Sequence, residues 1–402
     1  MADINRVLKA LGQGLAIAEN RAPLVVTPSR MNGFNTELMK IGGVAGGRIY
    51  ELYAPASAGK STLALILCAD YQSQGKIAVY VDAEGTTQNV TGDNAVGWME
   101  NLGVVTSELI MPNFGSAEDL FSQIKTMIVS GANIIVIDTV AVLQPTDLIF
   151  REAETVKMNE RMALPKALTS FFNGIVGGFA AYDSGGNIMP ISADVLNNLR
   201  AHGVSVKDTT IHKLGYYDCA IIGVNHAKDM IGVMYGDPTY TPGGAALGFH
   251  SSVRIGITKP VKSKDKIKVG DYEVPLYRKS RVAAAKNKLA APFGEMSLRI
   301  YQDGRVVEDV PFFVLAEQKG LVSTSARNVT LLVGEYKGTT MKKPDFEAWV
   351  SENPQFLEMV DEQYEVADES STIKIPLKLG VSDVDDNPVG QSAKLGLSLK
   401  KS

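Results

Sequence analysis

Nine residues, Ala54-Pro55-Ala56-Ser57-Ala58-Gly59-Lys60-Ser61-Thr62, constrain this chain more than any other stretch. They follow the apolar run Ile49–Tyr53 and precede a second run, Leu63–Cys68, so they sit where a strand ends and a helix begins. That is the setting of a P-loop. Backbone N–H groups from Ala58 to Thr62 would cradle phosphate oxygens. Lys60 would set its ammonium against the β- and γ-phosphates, and the Ser61 hydroxyl would ligate Mg²⁺. The signature opens on glycine, whereas this chain has Ala54. If that position needs a positive φ, alanine costs on the order of 1 kcal/mol there.

From Ile49 to Thr258 apolar runs alternate with helical patterns, and several runs end in polar residues. Ile77–Val81 ends in Asp82-Ala83-Glu84, Ile134–Ile137 in Asp138-Thr139, and Ala220–Val224 in Asn225-His226. Uninterrupted apolar runs mean strands covered on both faces, hence an α/β fold with a mostly parallel central sheet. Ligands in such sheets bind at the carboxyl ends of the strands, where these polar residues would meet the P-loop. Asp138 fits the acidic residue that holds Mg²⁺ opposite Ser61. Glu84 fits the base that deprotonates an attacking water, and Asn225 and His226 would sense the γ-phosphate.

The 402 residues suffice for a core of more than one ordinary domain's length, with smaller additions. A hydrophobic content of 45% with 21% charged residues, and no apolar stretch of membrane-span length, points to a soluble protein without a membrane partner. The start of the chain lacks a signal-peptide pattern. Cys68 and Cys219 both lie in apolar runs, which suits buried free thiols and a cytoplasmic setting. The net charge of −4 conceals an asymmetry: residues 259–288 carry ten Lys or Arg against three Asp or Glu. His202, His212, His226 and His250 show no metal-ligand spacing.

Near the start Ile4, Leu8, Leu11 and Leu15 share one helix face, and Ala22–Pro28 is a short β-prone piece fenced by prolines, an edge strand. Helix and strand would dock either on this chain's own core or on a neighbouring subunit. The stretch from Ala227 to Gly244 is rich in Gly and Pro yet carries Ile231, Met234 and Tyr235 beside Lys228. Such a loop suits stacking on bases or wedging between them.

Several runs closely resemble the bacterial RecA recombinases: Ile231–Pro238, Gly243-Gly244 with Ala246-Leu247 and Phe249, Ser252-Val253-Arg254, and Lys286–Phe293. Asp82-Ala83-Glu84 and Asp138–Ala141 match as well, and Ala348–Pro354 resembles the family's small C-terminal domain. The resemblance implies a P-loop ATPase core at 36–320, an N-terminal polymerisation helix and strand at 1–35, and a small α+β domain with a tail at 321–402. It implies ATP and Mg²⁺ as cofactors, and a helical homo-oligomeric filament on single-stranded DNA that exchanges strands with double-stranded DNA. A loader or single-strand-binding protein would be a further partner, in a bacterium or the bacterial host of a phage. Carried over by residue, Lys60, Ser61 and Asp138 hold phosphates and metal, Glu84 is the hydrolytic base, and Lys286 and Lys288 reach the neighbouring subunit's γ-phosphate. Trp98 takes the place of the adenine-stacking aromatic. Lys228, Ile231, Gly243 and Gly244 are second-loop DNA contacts, and Met158 with Arg161 belong to the first DNA loop.

Departures from the family pattern are specific. His226 stands where the family usually has glutamine, which makes γ-phosphate sensing sensitive to pH. Tyr182 to Gly215 is an insertion with a short helix at Ala193 to Ala201. Two other readings remain open: a ring helicase of the same superfamily, and a non-enzymatic ATP-binding filament or accessory DNA-binding protein.

Overall fold

The computed structural model describes residues 24–85, 93–149, 162–229, 239–264, 266–269, 272–301, 306–309, 312–318, 320–334, 336–353 and 356. The N-terminal helix expected around Ile4–Leu15 lies outside them, as do Met158, Arg161, Ile231, Met234 and Tyr235. The chain divides into two compact units, residues 1–259 with 283–295, and residues 260–282 with 296–402. This division falls elsewhere than the expected boundaries at 35 and 320.

The first unit is built on strands β1 (Val26–Thr27), β2 (Val44–Ala45), β3 (Arg48–Ala54), β4 (Ala78–Asp82), β5 (Ile134–Asp138), β6 (Ala220–His226), β7 (Lys228–Asp229), β8 (Thr239–Tyr240) and β9 (Val253–Ile257). Its central sheet runs β9-β3-β6-β5-β4, with every adjacent pair parallel. The mostly parallel sheet expected from the uninterrupted apolar runs is therefore present. β1 pairs antiparallel with β2, so the proline-fenced strand docks on its own chain.

The α-helices of five or more residues in this unit are α1 (Lys60–Gln72), α2 (Asp93–Asn101), α3 (Ala117–Val129), α4 (Ala163–Gly177), α5 (Ala193–Ala201) and α6 (Ala246–His250), among the described residues. Alternate strand residues define its two faces. Ile49, Val79, Val81, Ile135, Ile137 and Ile221 pack with Phe121, Ile124, Leu168, Phe171, Phe172 and Ile175 of α3 and α4. Phe121 and Phe171 stack with ring centroids 4.3 Å apart. α1 is buried nearly all round, from Leu63 to Gln72. Both cysteines are free and buried, as their apolar surroundings implied.

Asp70 fixes α1 to the segment ahead of the sheet. It is 2% exposed and accepts hydrogen bonds from Ser29 Oγ at 2.5 Å and the Arg30 N–H at 3.2 Å, beside an ion pair with the Arg30 guanidinium. The insertion is also ordered. Phe179 and His212 form an antiparallel bridge, and His212 is fully buried between Tyr217 Oη (2.5 Å from Nδ1) and the Met189 carbonyl (2.9 Å from Nε2). The expected helix is α5, capped by Ser192 and carrying no buried residue.

The second unit holds β10 (Val261–Lys262), β11 (Lys266–Val269), β12 (Tyr272–Pro275), the first part of β13 (Tyr277–Asn287), β14 (Glu295–Tyr301, from Met296 on) and β15 (Val306–Glu308). It also holds a three-stranded sheet of β16 (Val322–Thr324), β17 (Asn328–Leu331) and β18 (Thr340–Lys342), with α7 (Phe312–Gln318) and α8 (Lys343–Glu352). Phe346, Val350, Val329, Leu331 and Phe356 form a core of their own there. Among the described residues no helix is long and apolar enough to cross a membrane.

Burial ranks the ion pairs. Asp70→Ala strands the Arg30 guanidinium away from water and should cost about 3 kcal/mol or more. Glu273→Gln removes only the exposed partner of Lys266, whose side chains are 56% and 58% exposed, and should change stability by less than about 1 kcal/mol. Urea denaturation of both variants checks the ranking; equal losses would overturn it.

Candidate functional site

Because β3, β4, β5 and β6 run parallel, their carboxyl ends come out on one edge of the sheet. Ala54 lies in register with His226, and Asp82 with Asp138. The loop from Ala54 to Gly59 leaves this edge and enters α1 through Gly59, whose φ of 99° places it in the left-handed region at the helix N-cap. No side chain caps α1, and its first turn carries no acidic residue. The positive end of the helix is therefore not neutralised from within, as an anion cradle requires.

Ala54 is the last residue of β3 and is absent from the positive-φ positions. The glycine expected by the P-loop signature is thus not needed for backbone reasons, and the alanine penalty does not arise. The left-handed non-glycine of the loop is Ser57, with φ 58°.

Lys60 is 6% exposed. Its Nζ donates to the carbonyl oxygens of Ala54 at 3.2 Å and Pro55 at 2.9 Å, which curls the side chain back over the loop. Burial pulls the ammonium below the ordinary lysine range, while Asp138 and Glu84 draw it back up. Asp138 is 5% exposed; it accepts a hydrogen bond from the Tyr80 hydroxyl at 2.6 Å, and the nearby Ser61 hydroxyl also favours its ionised form. Burial pushes its carboxyl up, against the two hydroxyl donors. Next to it the buried Thr139 hydroxyl has no hydrogen-bond partner. A serine hydroxyl and a carboxylate beside a helix N-terminus form a hard, all-oxygen donor set that suits Mg²⁺ with phosphate. The residues thus fit ATP and Mg²⁺: Ala58 to Thr62 with Lys60 for the phosphates, Ser61 and Asp138 for the metal.

Glu84 follows β4 in a bend, and its Oε1 lies 2.9 Å from His226 Nε2. Asn225 points elsewhere. It is 1% exposed, its Nδ2 donates to the Pro242 carbonyl at 2.9 Å, and its Oδ1 accepts the His226 N–H at 2.9 Å. The amide expected to read the γ-phosphate is instead a buried tie to the far end of the second loop. Trp98 is half-buried on α2.

The second loop rises from β7 and β8, which pair Lys228 with Tyr240 and Asp229 with Thr239. Lys228 is exposed at this stem. Gly243 and Gly244 have φ of 88° and 84°, and a Cβ on either would press on α4: 3.2 Å from Leu168 Cδ1 and 3.0 Å from Pro165 Cβ. Their glycine identity is thus accounted for by backbone conformation and close approach.

Lys286 lies at the end of β13 and Lys288 just beyond it. Lys286 Nζ donates to the carbonyls of Gly248 at 2.8 Å and Phe249 at 3.0 Å, closing the C-terminus of α6. Burial, then the neighbouring Lys288 and Arg254, lower its ammonium. The same two lysines, after burial, hold the His250 imidazole below its ordinary value.

Three residues escaped the sequence reading. Tyr80 orients Asp138. Glu51, fully buried in mid-β3, pairs with Arg254 Nε at 2.5 Å, and Arg254 lies over the Tyr53 ring at 4.9 Å. The signal for Glu51 was present: a carboxylate inside an apolar strand requires a buried partner.

The family model of the RecA N-terminal domain matches residues 4–171 and 198–306. The unmatched gap overlaps the insertion. Protein RecA of Thermus aquaticus is 32% identical over 302 residues, covering 74% of this chain and 74% of that protein. Protein RecA of Geobacter sulfurreducens is 32% identical over 286 residues, 71% of this chain and 70% of that protein. Protein RecA of Haemophilus ducreyi is 29% identical over 329 residues, 80% and 73% respectively.

The loop geometry gives opposite signs for two glycine substitutions. Ser57→Gly relieves a left-handed side chain and should raise stability by up to about 1 kcal/mol. Ala54→Gly loosens the end of a strand and should lower it by about 0.5–1 kcal/mol. Urea midpoints of the two variants decide the matter, and a gain for Ala54→Gly would contradict the geometry.

Proposed function

The chain belongs to the RecA family, and from that premise we propose that it is a DNA-dependent ATPase that polymerises on single-stranded DNA as a helical filament and exchanges strands with a homologous duplex. The observation that carries the reading is the convergence of Lys60, Ser61, Asp138 and Glu84 on one edge of the sheet, with Lys60 and Ser61 both close enough to Asp138 to act on its charge.

ATP with Mg²⁺ supplies the phosphoanhydride whose cleavage drives the cycle. Lys60 and the N–H groups opening α1 bind the phosphate charge; Lys60 exchanges its carbonyl partners in the loop for phosphate oxygens. Ser61 and Asp138 hold the metal, and Tyr80 keeps the Asp138 carboxylate turned towards it. Glu84 accepts a proton from the attacking water. Lys286 and Lys288 stand at a surface of the same unit and serve the neighbouring copy, stabilising transition-state charge in trans so that hydrolysis depends on assembly. Lys228 and the loop it opens contact DNA, mainly through its backbone, which makes binding largely indifferent to sequence and sensitive to salt.

ATP hydrolysis measured with and without single-stranded DNA, at about 50 and 200 mM salt, tests this reading. DNA should stimulate the wild type, less so at the higher salt, and Glu84→Gln should lose roughly 10²- to 10⁴-fold in rate. Electron microscopy of the same samples should show open helical filaments. Hydrolysis indifferent to DNA, undiminished activity in Glu84→Gln, or closed rings would each overturn part of it.

A further inference from the structure

Glu84 has a partner that the hydrolytic step described above does not include. One strand, β5, separates β4 from β6, so Glu84 and His226 start roughly 10 Å apart across the sheet edge. Their side chains nevertheless meet at 2.9 Å over the end of β5, and each is 32% exposed. His226 is held there by its own backbone: its N–H bonds to Asn225 Oδ1, and Ala54 lies beside it in register. The other charged groups on the surrounding elements include Asp82 at the end of β4, Asp138 at the end of β5, Lys60 at the start of α1 and Lys228 at the start of β7. An ionised carboxylate only accepts hydrogen bonds, so the contact needs a proton on Nε2. Two states satisfy it, a neutral ring protonated at Nε2 and an imidazolium.

We propose that His226 is a positioning residue that latches Glu84, and that protonation of its ring tightens the latch and slows ATP hydrolysis. The proposal rests on the ATPase reading above. With a neutral ring, one carboxylate oxygen is held by a single hydrogen bond and the other keeps its lone pairs for a water proton. With an imidazolium, a full positive charge lies against the carboxylate, which becomes a weaker base. Imidazole changes charge within the physiological range, so the latch would tighten as pH falls. A glutamine amide at this position offers the same hydrogen bond at every pH, without the charge. The histidine thus makes the hydrolytic base acid-sensitive, while the positioning itself needs only a donor.

Two measurements test the latch. Steady-state ATPase is followed from pH 6 to 8 at saturating Mg-ATP and DNA for wild type, His226→Gln and His226→Ala. Between these limits the wild-type kcat should rise with pH, and that rise should be clearly smaller in His226→Gln, where the donor is uncharged throughout. His226→Ala should lower kcat across the whole range with a smaller change in KM, because the base is no longer held. The second measurement needs no nucleotide. Proton NMR titration of the four histidine rings is recorded for the free protein and for Glu84→Gln, with the His226 signals identified by their loss in His226→Gln. The His226 curve should change on removing the Glu84 charge, and the other three should not. Identical pH profiles for wild type and His226→Gln, or an unchanged His226 curve in Glu84→Gln, would overturn the latch. A wild type with no ATPase at any pH defeats the functional reading, and the NMR titration still decides the Glu84–His226 contact separately.

Discussion

A carboxylate sits where no water reaches it, in the middle of the strand that delivers the phosphate loop. Glu51 is fully buried in β3, and its charge is tolerable only because Arg254 is brought to it from β9, with the Asn225 amide approaching from β6 at 3.5 Å. One side chain thereby fixes both neighbours of β3. The arrangement has a direction. β6 carries His226 at its end, and Asn225 reaches Pro242 at the far end of the second loop. β9 leads from α6, whose last carbonyls accept from Lys286. The phosphate loop, the stem of the second loop and the basic end of β13 are all set in place around this buried charge.

Much of the site was legible because strand termini are punctuated in sequence. Four apolar runs, each ending in residues that a sheet interior rejects, were enough to bring Lys60, Asp138, Glu84 and His226 to one edge. What sequence could not supply was direction. Asn225 and His226 are adjacent and both polar, yet successive residues of a strand face opposite ways. One turns to the buried Glu51 side and the other to Glu84. Tyr80 was hidden for a similar reason: a tyrosine inside an apolar strand reads as packing, and its hydroxyl gains meaning only when β5 sets Asp138 beside it. Ala54 was read against a glycine signature, whereas the backbone places the left-handed residue three positions later, at Ser57.

The second loop shows how structural and functional demands share residues. Gly243 and Gly244 match a DNA-contact motif, but their φ angles and their fit against Pro165 and Leu168 require glycine on packing grounds alone. They hold the return of the second loop against the helix that follows the first. The return of the second loop is thereby tied mechanically to the first turns of α4. The fold could be read from the periodicity of the apolar runs; this coupling could not, since it joins residues 75 and 79 positions apart, Leu168 with Gly243 and Pro165 with Gly244, through contacts without a sequence pattern.

Phe179 and His212 face each other across a single antiparallel bridge at the base of the insertion. The excursion between them is a cul-de-sac: its mouth stays the same width whatever its length. Lengthening a loop whose ends are already pinned adds little to its closure entropy. The part of the excursion around α5, which carries no buried residue, is therefore a natural port for grafting a reporter or a foreign module without moving the sheet edge that β6 helps to form.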